Sequence, residues 1–327
     1  MRFGKNDNFI FFGGGHILLE ACVFLKKRNK NVFVISSKNQ INEKTYNDKN
    51  NLGDHLLKNG IKYKILPNLN NIKKWSYLIN KKTIGVSYSC RWIFKKKQID
   101  LFNGKLLNIH ASNLPSFRGA GGFTWKIMSQ HYSSGLTIHF VNEKIDTGVA
   151  LLIKSFKFPL NIRGSLFKMQ KYSFDFQKKI LKKFLITLIN NGKFNLKNIS
   201  NNSNSYYWPR ISTQKNAWIN WSWDAEQITN FIKSFSYPYE GAATNLKGEV
   251  VRFQKAKITK SKIVFHPFQY GLIYRIIKNE IYVAAKNYGV ILDISNFKNK
   301  NSLLGKRLYS TTRNLEKSLE NFTIQNN

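Results

Sequence analysis

The chain has 327 residues, 42% hydrophobic and 14% aromatic, so it is neither a disordered segment nor a small disulfide-stapled scaffold, and it can bury two cores. Its formal net charge of +36 rests on 53 basic residues, but only 10 are Arg and 43 are Lys, while Asn reaches 39. Lys and Asn rising together along the whole chain read as a coding bias rather than a phosphate-binding patch, which favours Arg, so charge alone does not make this a nucleic-acid-binding protein.

In chain order, Phe9-Ile10-Phe11-Phe12 reads as a buried strand, followed by the turn Gly13-Gly14-Gly15 and a helix from about Ile17 to Lys27. The apolar stretch from Phe9 to Leu25 superficially resembles a signal peptide. The glycines, His16 and Glu20 interrupt it, it lacks a small-residue cleavage site, and it is short for a membrane span. A cytoplasmic protein with no membrane partner is therefore expected. Cys22 and Cys90 have neither zinc spacing nor a bridge framework and are expected as small apolar residues. The glycine run lacks the spaced dinucleotide fingerprint and an acidic partner on the second strand, so it is read as a tight strand-to-helix connection.

Asn31–Ser36 is the next strand, then a helix from roughly Leu52 to Asn59 and short strands at Tyr63–Leu66, Thr83–Ser87 and Leu106–Ile109. Leu136–Val141 supplies a late strand and Gly164–Asn191 a long amphipathic helix. This alternation predicts an α/β domain over 1–191, with a mostly parallel sheet and helices on both faces. Residues 192–206, rich in Asn and Ser, read as a linker. One helix, about Asp224 to Phe235, then precedes β-type runs at Glu249–Phe253, Lys262–Phe265, Leu272–Ile277, Ile281–Ala285 and Gly289–Asp293. They predict a small β-barrel or meander over 207–296. Residues 297–327 read as a loose Lys/Asn-rich tail.

The chemistry concentrates between Leu107 and Val149. Asn108 and His110, two apart at a strand end, project on one face. Leu114-Pro115 and the loop Arg118-Gly119-Ala120-Gly121-Gly122 follow, and the strand Leu136–Val141 leads to Asp146-Thr147-Gly148. An amide, an imidazole and a carboxylate brought together suit acyl transfer to an amine without a covalent intermediate. Asn108 can donate to a developing oxyanion, His110 can move protons near neutrality, and Asp146 can orient His110 or accept the amine's proton. On spacing alone the trio is as readily structural. His139 reads as a packed strand residue, Glu143 as a solvated loop charge, and His110, His139 and Asp146 match no metal-ligand pattern.

These residues resemble the signature of the folate-dependent formyltransferase family. Asn108/His110, Leu114-Pro115, Arg118-Gly119 and Asp146/Gly148 stand in the family's order, and Trp208-Pro209-Arg210, Ala217–Trp221 and Tyr237–Ala242 are similar to the start of its C-terminal module. The resemblance implies the Rossmann-like formyltransferase fold followed by an OB-like barrel, with Asn108, His110 and Asp146 catalytic and 10-formyltetrahydrofolate as co-substrate without a metal. It also implies that the pterin lies against Ser87, Tyr88, Ser89, Arg91, Trp92, Ile93, Val141 and Asn142, with Pro115, Arg118, Gly119, Gly121, Gly122 and Phe123 on the substrate loop.

Among two-domain members the acceptor is either initiator methionyl-tRNA or a nucleotide-linked amino sugar. Ser37–Leu52 lacks Pro and Arg and carries two acidic residues, unlike the basic insertion of the tRNA enzymes, and the Gly-rich loop with Phe123 and Trp125 resembles the sugar enzymes. The sugar nucleotide is the favoured expectation and tRNA the alternative. A third reading is a non-catalytic basic protein that binds RNA through Tyr270, Tyr274 and Tyr282 on the barrel. A homodimer remains open.

Overall fold

The computed structural model describes residues 1–44, 50–120, 122–199, 205–297 and 300–320. The first half runs β1 (Asn8–Gly13), α1 (His16–Lys26), β2 (Asn31–Ser36), α2 (Lys38–Ile41), α3 (Leu52–Lys58), β3 (Lys62–Ile65), β4 (Thr83–Tyr88), α4 (Lys96–Asp100) and β5 (Leu106–His110). Then come β6 (Arg118–Gly119), α5 (Gly122–Met128), β7 (Ser133–Phe140), β8 (Ala150–Lys157) and α6 (Leu166–Ile189). The central sheet has seven strands in the order β3-β2-β1-β4-β5-β7-β8; β3 to β5 are parallel, and β7 and β8 run antiparallel at one edge.

β1 is continuously apolar because both of its faces are covered. Phe9 and Phe11 pack with α1, α3 and α6, whereas Ile10 and Phe12 face Trp75, Trp92, Phe94 and Phe102. The two sides differ from the expected pair of helical layers. The long helices lie on one face, and the other is roofed by loops, 3-10 turns and the five-residue α4. The glycine turn is the connection expected, with the Gly14 N–H donated to the Tyr88 carbonyl. β8, absent from the sequence reading, is the hairpin partner of β7.

The second half contains β9 (Tyr207–Trp208), α7 (Thr213–Asn216), α8 (Ala225–Ser234), β10 (Ala242–Leu246), β11 (Glu249–Phe253), β12 (Ala256–Ile258), β13 (Ile273–Ile277), β14 (Glu280–Ala284), β15 (Gly289–Asp293), β16 (Leu308–Tyr309) and α9 (Thr312–Glu320). Two antiparallel sheets, β11-β10-β16 and β12-β15-β14-β13, enclose one apolar core with α8. The run Lys262–Phe265 is not a strand. Among the described residues it joins no ladder; Val264 is 86% exposed, and the run is held by the Ile263 N–H on the Asn287 carbonyl and by the Phe265 ring, 5.0 Å from that of Tyr274.

The expected loose tail is also corrected within the described residues. The Phe297 ring stacks on Phe253 at 5.8 Å, Leu308 pairs with Leu246, and the Ser318 carbonyl accepts from the Asn216 side chain. Buried leucines at 303 and 308 supply the apolar surface that a Lys/Asn count hides. Residues 45–49, 200–204, 298–299 and 321–327, parts of the Ser37–Leu52 loop, linker and tail readings, lie outside the described residues. Among the described residues no helix is long and apolar enough to cross a membrane.

The halves are joined at the loop after β5. β6 pairs in parallel with β9, the Arg118 N–H reaches the Tyr206 carbonyl, and the Ala120 N–H reaches the Trp208 carbonyl. Trp125 donates its indole N–H to the Pro209 carbonyl at 2.9 Å and packs 5.1 Å from the Trp208 ring.

Candidate active site

Three neighbouring strands set the site. Sheet register places Asn108 on β5 beside Ser87 on β4 and directly opposite His139 on β7. Because β7 runs antiparallel to β5, the loop after it leaves from beside the first residues of β5. It then brings Asp146, with a backbone φ of 54°, against both Asn108 and His110.

The hydrogen-bond directions follow from what each group can do. The Phe140 carbonyl only accepts, so His139 Nδ1 carries the proton donated to it at 2.7 Å. His139 Nε2 is then an acceptor and takes one Asn108 amide hydrogen at 3.1 Å, while the other goes to Asp146 Oδ1 at 3.1 Å. Both amide hydrogens of Asn108 are thus engaged within the protein. His139, read from sequence as merely packed, is the residue that orients Asn108. On the other side, His110 Nε2 donates to the Phe117 carbonyl, which leaves Nδ1 facing Asp146 Oδ2 at 3.5 Å.

Asp146 also accepts the Gly119 N–H at 2.8 Å. Burial works to raise its pKa, but the neighbouring His110, the His139 contact and the Gly119 amide outweigh it and hold the carboxyl well below the usual range. Burial lowers the His110 pKa, with the Asp146 charge and the Phe117 carbonyl pulling the other way. The direction that follows is an ionised Asp146 beside a His110 that is neutral at pH 7. Among the described residues no group of His, Cys, Asp and Glu has metal-site geometry.

Glycines permit two of these contacts. Gly119 has φ of 88°, and a Cβ there would stand 2.3 Å from the Trp208 carbonyl oxygen. A Cβ on Gly148 would stand 1.8 Å from the Phe140 carbonyl oxygen that holds His139. We expect Gly148→Ala to cost about 1–3 kcal/mol of stability through overpacking. Thermal melting with and without the substitution measures this, and an unchanged melting temperature would mean that the loop relaxes freely.

The trio lies in a cleft of about 1080 Å³ whose walls come from both halves of the chain. Of the residues assigned to the pterin, Ser87, Tyr88, Ser89, Trp92, Ile93, Val141 and Asn142 line it and Arg91 does not. The Ser89 carbonyl accepts from Gln40 and the Trp92 indole donates to Pro67, so those polar groups are already used. Of the loop residues, Arg118, Gly119, Gly122 and Phe123 line the cleft. Pro115 does not, its neighbour Leu114 packing with Ala150 and Ile199, and Gly121 lies outside the described residues.

Sequence reasoning missed Lys126 and the far wall formed by Tyr207, Trp208, Arg210, Tyr237 and Tyr239. The motifs around Trp208 and Tyr237 were visible, but not that they reach the trio. Arg118 Nε and Trp208 Nε1 are buried without a partner among the described residues. Such orphaned donors fit a ligand rich in oxygen acceptors.

Residues 7–161 match the formyl transferase family, and residues 211–312 match the formyl transferase C-terminal domain. The chain is 29% identical over 200 residues to methionyl-tRNA formyltransferase of Clostridium tetani, covering 61% of each protein. It is 28% identical over 267 residues to the bifunctional polymyxin resistance protein ArnA of Wigglesworthia glossinidia brevipalpis, covering 77% of this chain and 39% of that one. The chain therefore matches about three-fifths or less of these relatives' length. In fold it resembles WlaRD, a sugar 3N-formyl transferase solved with dTDP and 5-N-formyl-THF (TM-score 0.65, 21% identity, 90% of this chain and 100% of that one). It also resembles the N-formyltransferase from Helicobacter canadensis solved with folinic acid and dTDP-3-aminofucose (TM-score 0.66, 21% identity, 88% and 98%).

Proposed function

Since this chain belongs to the formyl transferase family, we propose that it transfers the formyl group of 10-formyltetrahydrofolate to the amino group of a nucleotide-linked amino sugar. The observation that carries the reaction is the convergence of Asn108, His110 and Asp146 on one cleft wall. The aromatic far wall, with Arg210 and the orphaned donors of Arg118 and Trp208, supports an acceptor with a ring face and many oxygens. The segments 87–93 and 141–146 flank the trio and would hold the donor's pterin.

The amine sheds a proton as it attacks, and the formyl oxygen gains negative charge. Asp146 is held ionised and is therefore a weak base. His110, neutral and with Nδ1 unprotonated, is the better acceptor. Once Nδ1 is protonated, the ring donates to the Phe117 carbonyl on one side and faces the Asp146 carboxylate on the other. Asn108 is the donor for the oxyanion. It can release the hydrogen now on Asp146 Oδ1, because Asp146 keeps Gly119 and His110 on Oδ2.

The pH dependence follows from the sign of the His110 shift. Burial favours the neutral ring, so the active base form persists below the ordinary value of 6.5, and kcat/KM is expected to fall only at lower pH. Initial rates from about pH 5 to about pH 9 test this. A falling limb centred above 6.5 would mean that the Asp146 ion pair outweighs burial.

The function is tested by an acceptor screen with 10-formyltetrahydrofolate, following tetrahydrofolate release. Nucleotide-linked amino sugars are run beside initiator methionyl-tRNA. Turnover with a sugar nucleotide that depends only modestly on salt supports the reading. The tRNA reading is favoured by relatives such as the Clostridium tetani enzyme and by the +36 charge; it predicts turnover with the charged tRNA and a steep loss of affinity as salt rises.

A further inference from the structure

Lys126 sits on α5 with only 1% of its surface exposed. Its Nζ donates to Ser112 Oγ at 2.9 Å and stands 3.2 Å from the centroid of the Phe117 ring. Among the described residues no carboxylate lies within ion-pair distance of it. A buried amine in that setting costs stability, and burial pushes its pKa down to about 7. Packing alone offers no reason for this cost, since an apolar side chain of the same length would fill the space.

Both groups that Lys126 grips belong to the loop leaving β5. Ser112 follows His110 by two residues, and its carbonyl accepts from Thr137. Phe117 supplies the carbonyl that accepts from His110 Nε2. The ammonium therefore bridges the start and the end of the segment that holds the imidazole from outside. We propose that Lys126 is a positioning residue for His110: it ties Ser112 to the Phe117 ring and so fixes the Phe117 carbonyl on Nε2.

The electrostatic part has a definite sign. The titratable groups facing His110 are Asp146, which favours its charged form, and His139 and Lys126, which oppose it; His131, beyond the Phe117 ring, is itself depressed by burial and by Lys126. At the pH where His110 titrates, Lys126 carries its charge, so removing that charge must raise the His110 pKa. Lys126 also has a lower pKa folded than its ordinary 10.5. The unfolded chain then binds more protons between about 7 and 10.5, and the lysine's penalty is largest at the acid end of that window.

The inference rests on the proposed reaction but is testable apart from it. In Lys126→Met we expect three results together: a melting temperature at pH 7 equal to or above that of the parent, a His110 imidazole that titrates at higher pH by NMR, and a kcat roughly tenfold lower at little-changed KM, as a slightly misplaced catalytic group gives. Unchanged His110 titration together with unchanged kcat overturns the proposal. A lower kcat with unaltered titration and a lowered melting temperature also overturns it, because that is the behaviour of a packing residue. If Lys126→Met does not fold, Ser112→Ala, which removes one side of the grip, must shift the His110 titration, or the proposal fails. A shifted titration in a protein that formylates none of the screened acceptors would leave this inference standing and remove the proposed function instead.

Discussion

Replacing Asp146 with Asn is expected to lower turnover by about 10²–10⁴-fold while the protein still folds. Asp146 collects the Asn108 amide and the Gly119 N–H on its two oxygens and faces both His110 and His139. An amide has one acceptor and two donors, so at least one of Asn108 and Gly119 loses its partner and an N–H is turned against another donor. In the proposed mechanism the protonated His110 also loses its counter-charge once it has taken the amine's proton. The loss is expected to be uniform through neutral pH, because the carboxyl of Asp146 is held well below the usual range and is ionised throughout. Single-turnover rates beside a thermal melt decide the matter. Activity within about threefold of the parent would reduce Asp146 to a structural anchor.

His110→Ala is expected to give a loss of similar size, about 10²–10⁴-fold in kcat. It removes the proposed base and leaves the Phe117 carbonyl without the Nε2 donor. The informative comparison is with the double variant. Two groups that act as one unit lose little more together than singly, so His110→Ala in the Asp146→Asn background should cost far less than it does alone. Full additivity would mean that the two residues serve separate steps. Near-normal turnover of the single variant would take His110 out of the mechanism.

The chain shows how local signals and tertiary register divide the information. Periodicity placed β1, β2, β4, β5, α1 and α6 to within a residue or two, because a doubly buried strand such as Phe9–Phe12 and a long amphipathic helix declare themselves in composition. The same rule failed at Lys262–Phe265, where β-type residues join no ladder among the described residues, and after Phe297, where a few buried leucines act within a polar stretch. Strand status belongs to the pair rather than to the segment, which no local window contains.

The catalytic candidates were legible as well. Residue type and spacing leave Asn108, His110 and Asp146 as readily structural as catalytic, the family resemblance singles them out, and all three line one cleft. What the amino-acid sequence determined by itself was therefore the family's signature, the order of most elements, and the three polar groups that converge. Only the tertiary structure decided how those groups are wired: His139 faces Asn108 because antiparallel pairing puts residues 31 apart in register, and Lys126 reaches Phe117 because α5 folds back over the loop after β5. Only the tertiary structure, too, brought Trp208 and Arg210 to the opposite wall, through the pairing of β6 with β9, and set Tyr239 beside them against Thr124. Each of these contacts joins segments that are distant along the chain, so its energy is set by how the whole chain packs and leaves no periodic mark on either segment.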